Sequence, residues 1–128
     1  MPRHGRGWMM GGGPPWQQRH TPLTVALLEP ALLVLLRERA SHGYTLLAEL
    51  DKLGVGAIHP SVVYRTLREM EALGWVQSDW ETSQTQGPPR RIYHLTAQGT
   101  EALESWKREL DRARDLVSQL LERGSKSA

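Results

Sequence analysis

The sequence predicts a mainly α-helical fold with one small β-hairpin, in which a helix-turn-helix is followed by a long C-terminal helix. Three observations support this prediction. Two helical patterns follow one another closely, and the second starts at Pro60 and stops before Gly74. Two short segments of aromatic and β-branched residues then bracket a loop that contains glycine and proline. An apolar seam with helical spacing runs through the C-terminal quarter.

The length and composition exclude several classes of protein. A chain of 128 residues suffices for one modest domain. Without cysteine, the chain has no disulfides, thiol nucleophiles or thiolate zinc sites. No apolar stretch is long enough to cross a bilayer and no secretion signal opens the chain, so we expect a soluble, cytoplasmic protein. Because the five histidines fit no catalytic frame, the sequence predicts neither an enzyme nor a bound cofactor or metal.

Residues 1–21 are rich in glycine and proline and have no consistent period, which predicts a flexible arm. The arm holds three of the 16 basic residues and no acid, whereas the remainder has 13 basic and 14 acidic residues. A basic arm on a neutral body fits a polyanionic partner. The alternatives are a solvated tail, ligand capture by Trp8 and Trp16, and a metal site from His4, His20 and the methionines, although their spacing specifies no coordination geometry.

The first helix should lie at the centre of the domain. Leucine, alanine and valine dominate from Leu23 to Arg39. Because Pro30 suits a first turn better than a helix interior, we predict that the main helix begins near Glu29, with a separate short helix before it. Residues 31–36 are apolar on nearly every side, which predicts burial between the domain body and another element, such as a second subunit.

A second helix is predicted from about Gly43 to Leu53, with Ser41 as its N-cap and a Gly54 to Gly56 segment at its end. Its inward stripe would consist of Leu46, Leu47, Leu50 and Leu53. A short turn then leads to the third helix, so the two form a helix-turn-helix.

The third helix separates into two faces. The apolar face consists of Val63, Leu67 and Met70, with Leu73 at its edge. The opposite face carries Ser61, Tyr64, Arg65 and Arg68, and Ser61 is also suited to cap the helix. Guanidinium, phenol and hydroxyl groups can bond phosphates or base edges in a major groove, so this face predicts DNA recognition. A solvated face with ordinary surface arginines is the alternative.

The segments Trp75 to Trp80 and Arg91 to Leu95 predict a β-hairpin, which behind a helix-turn-helix is a wing. The loop between them, residues 81–90, includes Gly87 and two prolines. At its end, Arg90 and Arg91 form a basic tip that could lie along a phosphate backbone. A charged turn that only keeps the hairpin soluble is the alternative.

The last helix should begin after a Thr96 cap and run to about Arg123, before a short tail of residues 124–128. Its apolar residues alternate steps of three and four, as in a heptad seam: Leu103, Trp106, Leu110, Ala113, Val117 and Leu120. One small domain cannot cover so long a seam, so we expect the same helix of a second copy to pack there. The first turns could instead pack on their own domain. Residues 22–95 would then form the DNA-binding domain and residues 96–123 the dimerisation helix.

Several motifs together resemble the PadR family of bacterial winged-helix transcriptional regulators. In chain order, they are Leu32 to Leu36, His42 to Tyr44, Ser61 to Arg68, Leu73 and Gly74, Gly87 to Tyr93, and Leu95 to Gly99. The resemblance covers about residues 28–99. The departures are the glycine-rich arm and the pair Val62 and Val63, where a small residue followed by leucine or isoleucine is more usual.

The resemblance implies a dimeric repressor that binds a pseudo-palindromic operator. It implies that Ser61, Val62, Tyr64 and Arg65 face the major groove, and that Arg90 and Arg91 lie on the wing. The single C-terminal helix resembles that of the smaller subfamily, some members of which sense aromatic or drug-like molecules in a dimer-interface pocket with a tryptophan. Trp106 is the candidate here, with Leu103 and Leu110 beside it, and an interface residue without a ligand is the alternative.

The residues and the resemblance together favour a homodimeric, ligand-responsive repressor that binds double-stranded DNA. Two alternatives remain: a winged-helix adaptor that binds protein and not DNA, and a sensor that takes up a small molecule or cofactor with its N-terminal arm.

Overall fold

A computed structural model describes residues 22–81 and 90–126. It contains, in chain order, α1 (Pro22–Glu38), β1 (Ser41–His42), α2 (Gly43–Leu53), α3 (Pro60–Ala72), β2 (Val76–Glu81), β3 (Arg90–Leu95) and α4 (Ala97–Ser125). The predicted class, a helix-turn-helix with a hairpin wing and a long last helix, is confirmed. The predicted arm of residues 1–21 and most of the wing loop lie outside the described residues.

The first helix differs from the prediction, because α1 is a single helix of 17 residues that contains Pro30. A proline in a helix interior costs about 3 kcal/mol, since it removes one hydrogen bond and crowds the preceding turn. Pro30 is itself buried, and its neighbours Leu28, Leu32 and Leu33 are almost completely buried. Each buried leucine contributes roughly 1.5–3 kcal/mol, so tertiary packing outweighs the local cost. The expectation of a separate short helix before Glu29 was therefore wrong.

The core is built around α1, which contacts α2, β3 and α4. The predicted burial of residues 31–36 is confirmed, and elements of the same chain supply the packing. The first turns of α1 lie outside this core, because their side chains Leu23, Val25 and Leu27 are exposed.

The helix α2 has the predicted bounds but another cap. His42 occupies the N-cap position without a side-chain capping bond, and Ser41 instead lies in β1, where its hydroxyl donates to the Arg39 carbonyl at 3.3 Å. The prediction of Ser41 as the N-cap was wrong, because Ser41 pairs with Tyr93 in the sheet. Leu46 and Leu50 are buried as predicted, whereas Leu53 is 52% exposed at the helix end.

The three strands form one antiparallel sheet in the order β1-β3-β2. The predicted hairpin is confirmed, with Val76 opposite Leu95 and Glu81 opposite Arg90. The strand β1 was not predicted, because its two residues are too few to show an alternating pattern. It pairs with β3, so that His42 lies opposite Ile92. The sheet therefore joins the beginning of α2 to the wing.

The start of α4 packs tightly against the turn that follows α3. The Thr96 hydroxyl accepts from the Gly99 amide at 2.9 Å and donates to the Gly74 carbonyl at 2.6 Å, which confirms the predicted cap. A Cβ atom at position 99 would overlap the Trp75 carbonyl oxygen. The absence of a side chain at Gly99 lets the two segments approach, and α4 is thereby fixed to the end of α3.

Candidate nucleic-acid interface

The helix α3 presents one face to the core and one to solvent. Val63, Leu67 and Met70 are at most 1% exposed, as predicted, and Leu73 is 55% exposed beyond the helix end. On the other side, Ser61, Arg65 and Arg68 are exposed, and Val62 and Tyr64 are partly buried. The helix therefore offers two guanidiniums and a hydroxyl to a ligand while its opposite face is held by the core.

The N-cap of α3 is His59, and not Ser61 as predicted. The Nδ1 atom of His59 accepts from the Ser61 amide at 3.1 Å and lies 2.9 Å from the Ser61 hydroxyl oxygen, while Pro60 occupies the first turn. A ring nitrogen that accepts a hydrogen bond carries no proton, so neutral His59 has its N–H at Nε2. An imidazole at the position just before the proline was the signal that sequence reasoning missed.

The Tyr64 ring lies directly against the backbone of Gly43. A Cβ atom at position 43 would overlap the Tyr64 ring, so glycine is required for this approach. Tyr64 therefore has a packing role, joining α3 to the first turn of α2, in addition to the recognition role that its position predicts.

Each wing arginine is held by partners in its own chain. The Nη1 atom of Arg90 donates to the Tyr44 hydroxyl at 2.6 Å, and its guanidinium carbon lies 5.3 Å from the Tyr44 ring centroid. The Arg91 guanidinium carbon lies 4.4 Å from the Trp80 ring centroid. These cation–π contacts fix the direction of both charges before any ligand binds. Tyr44 was not predicted because it lies 46 positions from Arg90 along the chain. Trp80 was not predicted because the sequence indicated the hairpin but not its register, which places Trp80 opposite Arg91.

A second set of hydrogen bonds joins the wing to α3. The Nη1 atom of Arg91 donates to the Ser78 hydroxyl at 2.6 Å, and Ser78 donates to Glu71 Oε2 at 2.8 Å. The Tyr93 side chain lies nearby, and burial raises its pKa, an effect that the charge of Arg91 partly offsets. The wing and the recognition helix are therefore connected through polar side chains as well as through the chain.

Comparisons with known proteins agree with this geometry. Residues 32–105 match the profile described as the transcriptional regulator PadR-like family. This match covers more than half of the chain. The chain belongs to the PadR-like family of transcriptional regulators. It is therefore a DNA-binding regulator with a winged helix, and its family is one of transcriptional regulators.

Solved structures of transcriptional regulators, two of them described as PadR family or PadR-like, are similar to most of this chain. A PadR family regulator of Eggerthella lenta is 29% identical, with a TM-score of 0.68, over 78% of this chain and 86% of that one. A PadR-like regulator of Bacillus cereus is 26% identical, with a TM-score of 0.70, over 79% and 97%. A candidate regulator of Thermoplasma acidophilum is 26% identical, with a TM-score of 0.71, over 80% and 97%. A comparison with curated proteins finds no match.

In this PadR-like chain, the predicted seam of α4 divides into a covered and an uncovered part. Leu103 is buried, Leu110 is partly buried, and the Trp106 indole donates to Glu29 Oε1 at 3.0 Å. The later seam residues Ala113, Val117 and Leu120 are all exposed. Only the first turns of α4 therefore pack on the regulator's own domain.

A groove of about 490 Å³ lies beside Trp106, where the end of α3, the start of β2 and α4 meet. Trp75 and Trp106 give it aromatic surface, and Glu101 and Glu109 give it negative charge. The predicted neighbours of Trp106 do not line it, since Leu103 is buried beneath α4 and Leu110 lies elsewhere on the helix.

Two further properties concern the described part of the regulator. None of its helices is long and apolar enough to cross a lipid bilayer. Within residues 22–81 and 90–126, no group of three histidine, aspartate or glutamate side chains is arranged to hold a metal ion.

Proposed function

We propose that this PadR-like regulator is a homodimeric, ligand-responsive repressor that binds a pseudo-palindromic operator. The observation that supports this most directly is the exposed face of α3, on which Arg65 and Arg68 stand away from a fully buried apolar face. A helix held by its inner face and carrying donors on its outer face fits a major groove.

The proposed contacts fall into two groups. Ser61, Val62, Tyr64 and Arg65 lie in the first half of α3, the part of a recognition helix that usually meets base edges. The guanidiniums of Arg68, Arg90 and Arg91 would bind backbone phosphates, which fix the position of a protein on the duplex without reading its sequence.

The proposal of a homodimer is supported by the uncovered half of α4. Exposed apolar side chains continue along it, namely Leu116, Val117, Leu120 and Leu121. A helix with such a seam is stabilised when a second helix covers it. An isologous pair would place the two α3 helices in successive major grooves, roughly 34 Å apart, and requires an inverted-repeat operator.

The proposed effector is an aromatic or drug-like molecule bound beside Trp106. Its support is the groove with two tryptophan side chains, a size and lining that suit a flat ligand. The groove adjoins both the end of α3 and α4, so a ligand that prefers one arrangement of these elements would change the fit to the operator.

Selection of bound duplexes from a random DNA pool tests the proposal. We expect enrichment of an inverted repeat with one helical turn between half-site centres, and an affinity that falls steeply as salt rises. A folded dimer that enriches no site would refute DNA recognition and leave a winged-helix adaptor of protein partners as the better account. Transcription from a promoter carrying the selected site should fall when the protein is added, and a rise would refute repression.

Single substitutions then test the contact surface. Arg65→Ala should weaken operator binding by roughly 5–150-fold, because a bidentate contact to a base contributes about 1–3 kcal/mol. Tyr64→Ala should also weaken binding, and its folding must be checked since the ring packs on Gly43. Lys52→Ala is the matched control, because it removes an exposed cation from the far end of α2. Wild-type affinity in folded Arg65→Ala and Tyr64→Ala dimers would refute this surface.

A further inference from the structure

A small cleft of about 140 Å³ opens between the first turn of α2, the helix α3 and the strand β3. We name it the α2–wing cleft. Its floor includes the backbone of Gly43, and its side chains are His42, Tyr44, Tyr64, Arg90, Arg91 and Tyr93. No carboxylate belongs to this lining within the described ranges, so the cleft combines two cations with three phenols.

Two of the phenols have hydrogen-bonding capacity left for a ligand. The Tyr44 oxygen accepts from Arg90, which leaves its own O–H free to donate. Tyr64 makes no hydrogen bond to the part of the chain that the structure describes, and its hydroxyl lies close to the Gly43 backbone. Both tyrosines line the same cleft, so each hydroxyl is available to donate to an anion bound there.

The charge of Arg90 is not neutralised by its cross-strand neighbour. Glu81 lies opposite Arg90 in the sheet register, which is the usual place for an ion pair. Glu81 instead binds His42, with 2.5 Å between Oε1 and Nε2, and Arg90 lies on Tyr44. His42 thus holds the acid away from the guanidinium, and the cleft keeps a net positive charge.

We propose that the α2–wing cleft binds one phosphate of the DNA backbone, with Tyr44 and Tyr64 as hydroxyl donors and Arg90 as the cation. This inference rests on the proposed DNA recognition and assigns a DNA contact to Tyr44, a residue outside the recognition helix and the wing. It also assigns the Tyr64 hydroxyl to the DNA backbone and not to a base edge. The cleft is large enough for a tetrahedral phosphate. Tyr64 belongs to the same stripe of α3 as Arg65 and Arg68, so the cleft lies beside the face proposed to enter the groove.

His42 and Glu81 are positioning residues in this arrangement. Without the His42 contact, the Glu81 carboxylate is free to pair with Arg90, which neutralises the guanidinium proposed to bind the phosphate. His42→Ala should therefore weaken DNA binding although His42 donates nothing to the phosphate, and the second substitution Glu81→Gln should restore binding. A loss caused merely by a damaged fold would not be restored by Glu81→Gln.

The test compares Tyr44→Phe with wild type on a single duplex at low salt, with the full-length protein. Tyr44→Phe removes one hydroxyl and no charge, so affinity should fall about tenfold while the salt dependence stays the same, since hydrogen bonds to charged groups are among the stronger ones. Arg90→Gln should also weaken binding and reduce the salt slope by about one. Thr100→Val, which removes a hydroxyl engaged with the Thr96 carbonyl on α4, should bind as wild type.

Methylphosphonate linkages locate the phosphate. At one backbone position in each half-site, the uncharged linkage should weaken binding by wild type more than binding by Tyr44→Phe, which has already lost one of the three contacts to that phosphate. Equal affinity of wild type and Tyr44→Phe for the duplex would overturn the proposed cleft while leaving DNA recognition intact, whereas wild type that binds no duplex would refute both. Saturable binding of inorganic phosphate or a mononucleotide, lost in Tyr44→Phe while duplex affinity is unchanged, would also overturn it, because the cleft would then serve a free anion.

Discussion

The middle of α1 and the far half of α4 are both rich in leucine, yet they have opposite surroundings. In α1, Leu32 and Leu33 are completely buried, whereas Leu116 and Leu120 of α4 are about 60% exposed. The difference is one of position and not of composition, because α1 is surrounded by α2, β3 and α4, and α4 extends beyond them. Apolar residues left uncovered in a helix of 29 residues indicate a surface that a partner completes.

The far half of α4 remains helical through local interactions. Glu109 with Arg112 and Asp111 with Arg114 form ion pairs three residues apart along the helix. Such exposed pairs contribute only about 0.3–0.5 kcal/mol each, far less than a buried leucine. The comparison between α1 and α4 can therefore be tested by substitutions on each side.

The largest effect is expected in the middle of α1. Leu33→Ala should lower the free energy of unfolding by about 2–5 kcal/mol, because it leaves a cavity in the fully buried core. Urea denaturation measures the change. The matched control is Leu53→Ala at a position that is 52% exposed, where we expect a change within about 0.5 kcal/mol. Similar losses at both positions would contradict the burial described for α1.

A somewhat smaller effect is expected on the stability of the proposed dimer, from substitutions in the uncovered seam of α4. The double variant Val117→Glu/Leu120→Glu should raise the dimer dissociation constant at least about a hundredfold, or roughly 2.7 kcal/mol, because it places charges in an apolar contact. Sedimentation measures the dissociation constant. Arg108→Glu changes the net charge equally on another face of α4 and should leave the dimer intact. If the double variant remains dimeric, the subunits must associate elsewhere.

The junction between the two regions comes next. Gly99→Ala should destabilise the fold by about 1–3 kcal/mol, because the new methyl group meets the Trp75 carbonyl and the side chain of Leu95. Gly124→Ala, in the same helix, has open space around it and should stabilise slightly, by about 0.5–1 kcal/mol. Thermal unfolding of the two variants should therefore shift in opposite directions. A shift in the same direction would mean that Gly99 is not closely packed.

The smallest effect is expected at the cap of α4. Thr96→Ala should cost about 1 kcal/mol, because the Gly99 amide loses its acceptor. Thr96→Ser keeps the hydroxyl and should recover most of the loss, which chemical denaturation can resolve. If serine is no better than alanine, the methyl group of Thr96, and not its hydroxyl, supports the junction.

Patterns within one element could be predicted from the sequence. The two faces of α3, the Thr96 cap and the seam of α4 depend on residues within a few positions of each other, and a helical repeat reveals them. The burial of Pro30 could not be predicted in this way, because it depends on the elements that surround α1. The contact between Arg90 and Tyr44 could not be predicted from a repeat either, because these residues are 46 positions apart. The pairing of β1 with β3 brings them together. Ser61 was predicted as the cap of α3 instead of His59, because serine is among the residues preferred at helix N-caps and histidine is not.

Because α4 packs closely at Gly99 on the segment that follows α3, a tilt of α4 also moves the recognition helix. At a rise of 1.5 Å per residue, α4 is about 44 Å long, and α3 is attached near one end of it. If the far end stays fixed against a partner, a tilt of about 5° moves the attached end by about 4 Å, slightly more than the axial distance between successive phosphates of one strand. In the proposed dimer, the distance between the two recognition helices would therefore change with the angle at which the two α4 helices pack.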